Sequence, residues 1–499
     1  MKMIKSLILG SAAGLLAVGG AQAADLPVKA KAVEYVKVCS LYGAGFFYIP
    51  GTDTCIKLGG YLRADVAWNT NNDYGFLGNS TTGAQNRLSN YFTSRARFSV
   101  DWDTRTATEY GVVRTFATIL TSWTTNGTLA TGVGGATAAD TASTQGGLGT
   151  TSQGIYQAFI QFAGFTIGRA YSIFDAPWQS YPAGGPDTLL GASNHVTGQN
   201  QLTYTASFGN GVTGSISLED PKEKDTVATT NLSNITALGF VGGAYGTNNV
   251  GGTRAPDVIG QIRVDQAWGL AQIAVAAHDN HVAYYGPTEI TGHPDDKWGF
   301  AVQGALSIKN IPTGPGDTVN MTAVYTDSAS NYNFQFLFPG TGALYGGSGI
   351  AAQALSLYGV NDVTFTNGSG LESVKTWGVQ GGYTHNWSPT WASSIYGSYG
   401  QLRYGGNAVA TICTFARVTL ALTGNCDPNF KVWTIGGTTV WTPVKNLAFT
   451  VDVNYTMIDQ NYSGTIASPG SVGFAKPAAT LELKDQGRVT ALFRAQRNF

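Results

Sequence analysis

The chain has 499 residues, a formal net charge of −1 and only 12% charged residues, so no basic footprint for a nucleic-acid partner is present. Its 66 glycines and 12% aromatics disfavour a helical protein and favour strands and turns.

Residues 1–23 read as a cleaved leader. Lys2 and Lys5 precede a short apolar stretch, 7–20, and Ala21-Gln22-Ala23 is a small-x-small cleavage site. Residues 24–55 are then expected to form a periplasmic segment and 56–499 a single strand-built unit. No later stretch is apolar enough for a transmembrane helix. A membrane protein of this composition must therefore be a closed β-barrel, because only helices and barrels satisfy every backbone group in lipid. The four cysteines fall into two local couples, and a chain exported to an oxidising compartment is expected to pair them as Cys39–Cys55 and Cys413–Cys426. Zinc is the alternative, with no CxxC or neighbouring histidine to recommend it.

In chain order, the segments that alternate apolar and polar residues are 56–68, 91–103, 108–121, 154–163, 165–171, 199–208, 212–219, 256–267, 269–279, 297–309, 317–327, 374–386, 389–403, 430–442, 445–458 and 484–499. In the fifteenth, Leu447, Phe449, Val451, Val453, Tyr455 and Met457 share one face. Period two also fits a soluble sandwich. Three features favour a membrane barrel: the length of the segments, apolar faces ending in Trp68, Trp102, Trp298 and Trp441, and connections that alternate strictly between short and long. The expected architecture is all-β, an antiparallel barrel of about 16 strands with short periplasmic turns and long outer loops. Residues 122–153, 328–371 and 404–429, rich in Thr, Gly, Ala and Ser, are expected to be flexible surface loops.

The alternation also sorts the charges. Arg95 and Arg97 share a face with Ser99, Asp101 and Asp103, opposite Ala96, Phe98, Val100 and Trp102. An arginine facing lipid at mid-depth costs a few kcal/mol, so the arginine face is the luminal one. The same test makes Arg63, Asp65, Arg263 and Asp265 luminal, and Arg114 with them despite the poor alternation of its strand. His278, His281 and His293 lie near Asp279, Asp295 and Asp296. Their spacing suits a helix that this segment does not form, so they are expected to be solvated loop residues rather than a metal site. No phosphate loop, HExxH or GxSxG element is present. No catalytic activity, cofactor or metal is expected.

The stretch from Val38 through Cys39, Tyr42, Gly45, Phe46, Tyr48, Pro50, Cys55 and Leu58 to Tyr61 resembles the opening of the alphaproteobacterial general porins, and the ending Arg494-Ala495-Gln496-Arg497-Asn498-Phe499 is similar to that family's C-terminus. In one respect it departs: Arg497 stands where porin ends often carry an aromatic, and is expected to snorkel to the interface. The resemblance implies a homotrimeric outer-membrane channel for passive diffusion of small hydrophilic solutes and ions, seated in outer-membrane lipid, with the third outer loop folded into the lumen. On that implication the loop 172–198 would bring Asp175 and Asp187 across from Arg63, Asp65, Arg95, Arg97 and Arg114. A sugar-selective channel using Tyr171, Phe174, Trp178 and Tyr181, and a secreted β-rich adhesin, are the competing readings.

Overall fold

The computed structural model describes residues 37–70, 86, 90–125, 149–178, 189–193, 196–223, 228–335, 337–346, 354–470 and 476–499. The expected leader, 1–23, lies outside the described residues, as does most of the loop expected at 122–153.

Sixteen strands form one closed antiparallel barrel: β1 Cys55–Trp68, β2 Phe92–Thr108, β3 Gly111–Thr125, β4 Gly149–Phe162, β5 Phe165–Ala170, β6 Gln199–Gly209, β7 Val212–Glu219, β8 Asp257–Gln266, β9 Gly269–Asn280, β10 Lys297–Lys309, β11 Thr318–Asp327, β12 Lys375–Ser388, β13 Trp391–Arg403, β14 Phe430–Val444, β15 Leu447–Gln460 and β16 Gln486–Asn498. The seam joins β1 to β16, with Tyr61 opposite Asn498 and Trp68 opposite Ala491. Closure leaves no strand edge exposed to lipid. Along β1 the outward Leu62, Val66 and Trp68 are exposed, while the inward Asp65 and Ala67 are buried. That is the period-two pattern with its apolar face turned to lipid.

The short connections are turns that the sequence dictates locally. Between β6 and β7, Asn210 and Gly211 take φ of 48° and 73°. A Cβ on Gly211 would sit 1.9 Å from the Asp265 carbonyl oxygen, so only glycine fits there. Trp391 stacks on Trp441 at 5.7 Å, and Trp441 on Phe449 at 5.6 Å, which places an aromatic band at the ends of β13–β15 nearest the short turns. The C-terminus closes the seam: the Phe499 amide donates to the Gly60 carbonyl at 3.1 Å and its ring stacks on Phe98 at 6.3 Å. Arg497 is exposed and donates to the Lys445 carbonyl in the neighbouring turn.

Before β1, the two-residue strand Phe47–Tyr48 pairs with its first residues, and Cys39 is bonded to Cys55. Cys413 is bonded to Cys426.

Two expectations are corrected. Residues 328–371 are not a flexible loop: they carry Thr341–Gly346, Ala354–Gly359 and Asn361–Phe365, whose residues are nearly all buried. Residues 404–429 contain the helix Gly406–Thr419, α1, which buries Ala408, Ile412, Cys413 and Ala416. The physical reason is long-range. Neither segment can bury apolar surface alone, but together the outer connections make a common core containing Phe240, Tyr245, Leu355, Tyr358, Ile412 and Leu481. The Thr-, Gly- and Ala-rich composition carried no local sign of it.

Candidate functional site

The third outer connection turns inward from β5, and its described parts, 171–178 and 189–193, lie against the inner wall of the barrel. Its first residues are pinned to β7–β9. The Ile173 amide donates to Glu219 Oε1 at 3.3 Å, Gln261 Nε2 donates to the Ile173 carbonyl at 2.5 Å, and Gln272 Nε2 donates to the Phe174 carbonyl at 3.1 Å. The Phe174 ring is fully buried against Ile259, Ala274 and Ala301, with Tyr332 edge-on at 4.6 Å. Its returning limb is pinned further round. Thr322 Oγ1 on β11 donates to the Gly191 carbonyl at 2.8 Å, the Gly191 amide donates to the Asn333 carbonyl at 3.0 Å, and Gln335 Nε2 donates to the Leu189 carbonyl at 2.7 Å. Each bond satisfies a backbone group that would otherwise be orphaned inside the barrel. The loop is therefore folded into the lumen, as the family resemblance implies.

Across from this loop, β16, β1, β2 and β3 carry the arginines, and the register sets them in rows. Asp65 on β1 lies opposite Arg95 on β2 and Arg494 on β16. Arg95 donates to Asp65 Oδ2 from Nε at 2.9 Å and from Nη2 at 2.7 Å, and Arg494 Nε donates to Oδ1 at 2.7 Å. All three are buried, with Asp65 only 1% exposed. One row toward the short turns, Arg63 lies opposite Arg97 and Gln496. Here the partners are neutral: Arg63 Nε donates to Gln496 Oε1 at 2.8 Å and Arg97 Nε donates to Ser122 Oγ at 2.9 Å. The Arg63 guanidinium also lies 4.5 Å from the Tyr61 ring. Two adjacent guanidiniums without a carboxylate of their own give this row a positive field.

Arg114 is luminal on β3 and binds Asp103 together with Arg105, with both closest N–O distances 3.0 Å. Its strand alternates poorly because Phe116 points inward and pairs with Phe159, and the Arg114 guanidinium lies 5.0 Å from the Phe116 ring. Arg263 and Asp265 pair on β8 at 2.6 Å and line a luminal cavity of about 630 Å³ together with Tyr171, Asp175 and Gln261. An apolar depression lined by Ile262, Ile273, Met321 and Val379 lies on the lipid side of the wall and has no part in the lumen.

Asp175 is 7% exposed and ties the two limbs of the inward loop together. It accepts from the Ser193 amide at 2.9 Å and from Ser193 Oγ at 2.5 Å. Asp187 lies outside the described residues, as does Tyr181. Of the histidines, His278 is not solvated as expected: it is buried, with Nδ1 2.8 Å from Asp257 Oδ1. His281 pairs with Asp296 at 2.7 Å. Among the described residues no cluster of metal-ligating side chains occurs.

Sequence reasoning missed Arg488 and Arg494 as luminal residues. The signal was there: Arg488, Thr490, Leu492, Arg494 and Gln496 form one face of β16, opposite Val489, Ala491, Phe493 and Ala495. Arg488 Nη2 donates to Asn69 Oδ1 at 2.6 Å, near the outer end of the barrel.

Comparison with known proteins agrees with this geometry. The porin Omp2b of Brucella canis is 33% identical over 318 residues, which is 62% of this chain and 75% of that protein. Omp2b of Brucella abortus is similar to the same extent, 33% over 318 residues. Among solved structures, the outer-membrane channel DcaP of Acinetobacter baumannii is similar in fold at a TM-score of 0.56 and 14% identity, covering 91% of this chain and 99% of that one. The family model described as "Porin subfamily" matches residues 25–492. The chain belongs to the porin subfamily, and its barrel is a passive-diffusion channel of the Gram-negative outer membrane.

Proposed function

We propose that the lumen passes small hydrophilic solutes and ions without strong selection among them. Its narrowest point is taken to lie between the wall that carries Arg63, Asp65, Arg95, Arg97 and Arg114 and the inward loop that carries Asp175 and Asp187. The observation that supports this reading is the loop seated on β7–β11, facing an arginine wall whose Arg63 and Arg97 have only neutral hydrogen-bond partners. Pore width and charge at such a point set what passes. The assembly is a homotrimer in outer-membrane lipid, and residues 24–55 stand on the periplasmic side.

A sugar-selective path has less support. Phe174 is buried in the wall and Trp178 packs against Leu189 and Tyr396, so neither is free to stack a sugar. Liposome swelling with sugars of graded size tests the reading. The rate is expected to fall smoothly with solute size; a saturable rate for one sugar would favour the selective channel, and no swelling at any size would remove both.

A further inference from the structure

The outer connections of this barrel meet across its mouth. The connection 220–256 rises between β7 and β8, and 461–485 rises between β15 and β16, eight strands further round and so on the opposite side. The connection 328–374 rises midway between them and pairs with both. Asn361–Phe365 runs parallel to Ala228–Asn231, and Ala354–Gly359 runs parallel to Ala479–Leu483. These are inter-loop backbone ladders, which flexible loops do not make.

The two opposite connections also touch directly. The short helix Ala237–Val241 places the Phe240 ring 5.9 Å from Tyr462 and 6.2 Å from Phe415 of α1. Beside it Gly243 is so closely packed that a Cβ would lie 2.0 Å from the Tyr358 carbonyl oxygen. Burial raises the phenol pKa values of Tyr245, Tyr358 and Tyr462, so all three stay neutral in this layer. The same core continues downward to Leu402, Phe430, Val432 and Ile458 on the inner faces of β13–β15, and ends on Leu190 of the inward loop. The disulfide Cys413–Cys426 ties α1 to the segment that leads into β14.

We propose that these connections form a fixed roof along a diameter of the barrel. The roof closes the β11–β15 side of the mouth and acts as an outer size filter in series with the waist. Solutes that pass the roof then reach the row of Arg63 and Arg97 deeper in the lumen. The inference rests on the channel reading above. Its defining juxtaposition is Phe240 against Tyr462, two loops that spring from opposite walls.

The test replaces residues 236–246 with a short Gly–Ser linker in the full chain and measures sugar cut-off, single-channel conductance and reversal potential in a KCl gradient. Opening the covered side is expected to admit larger sugars and raise conductance about twofold, while the reversal potential stays put because the arginine rows are untouched. A variant that conducts with the native cut-off and conductance would overturn the roof. Absence of any channel in the unaltered protein would overturn the diffusion reading, and the roof with it. If the linker variant fails to show the heat-modifiable band of a folded barrel, the double substitution Phe240→Ala and Tyr462→Ala decides by the same readouts. Native cut-off and conductance there are equally fatal.

Discussion

Asp65 is shared between two arginines from neighbouring strands, and all three side chains are out of contact with bulk water. A buried charge is tolerable only when paired, so removing the carboxylate leaves two guanidiniums uncompensated. The substitution Asp65→Asn is expected to cost roughly 3–5 kcal/mol and to lower the temperature at which the folded band of an unheated sample disappears. A wild-type transition temperature would show that the triad contributes nothing. One row away, Arg63 and Arg97 differ in kind: each keeps a neutral partner and is only partly buried. The double substitution Arg63→Gln and Arg97→Gln is expected to lower the anion-to-cation permeability ratio by about twofold with the barrel intact. An unchanged reversal potential in a salt gradient contradicts that. The structure thus sorts arginines that the sequence pattern treats alike. Arg95 belongs to the buried triad, while Arg97 is half-buried with a neutral hydrogen-bond partner.

At the scale of the element, the turn 310–317 between β10 and β11 is held by one carboxylate. Burial alone would raise the Asp317 pKa, but the Asn386 amide, His385, Thr313 and Tyr383 all hydrogen-bond to it and hold it below the usual carboxylate range. A depressed pKa means stability present above the unfolded-state value, near 4, and lost as pH falls through the folded one. Acid destabilisation below about pH 4 is therefore expected to weaken in Asp317→Asn, measured as thermal transitions from pH 7 to 2. Parallel pH profiles for the two proteins count against the assignment. In the roof, α1 buries only one face and leaves Val418 80% exposed, so the Cys413–Cys426 bond is a main tether. Serine at both positions is expected to destabilise this layer by roughly 2–3 kcal/mol and to open 404–429 to protease while the barrel stays folded. Cleavage no faster than in the native protein would make the tether redundant. The strands themselves were legible because period two is a local signal. Lys297–Lys309 and Val212–Glu219 coincide with the alternation, and others differ by a few residues at their ends, where β2 and β3 extend beyond the apolar run.

For the whole molecule, the even strand count and antiparallel closure place both strand termini at the same end, with Phe499 docked beside Gly60. The homotrimer implied by the family is tested on the detergent-solubilised protein. Light scattering corrected for bound detergent is expected to give about three times the mass of one chain, which is 52.4 kDa for the full sequence. A protein mass of one chain in mild detergent rejects the trimer.

The sequence by itself determined the class of the molecule: a barrel with apolar residues outward, short turns alternating with long connections, two local disulfides, and a luminal face bearing Arg63, Arg95 and Arg97. Each of these follows from a period of two residues or from neighbours in the chain, so local physics suffices. Tertiary structure alone decided which arginines are paired, because Asp65 meets Arg494 only when the first strand closes on the last. It likewise decided that Asp175 staples its own loop and that four long connections share one apolar core, since those contacts join residues far apart in the chain whose attraction exists only once the barrel has brought them together.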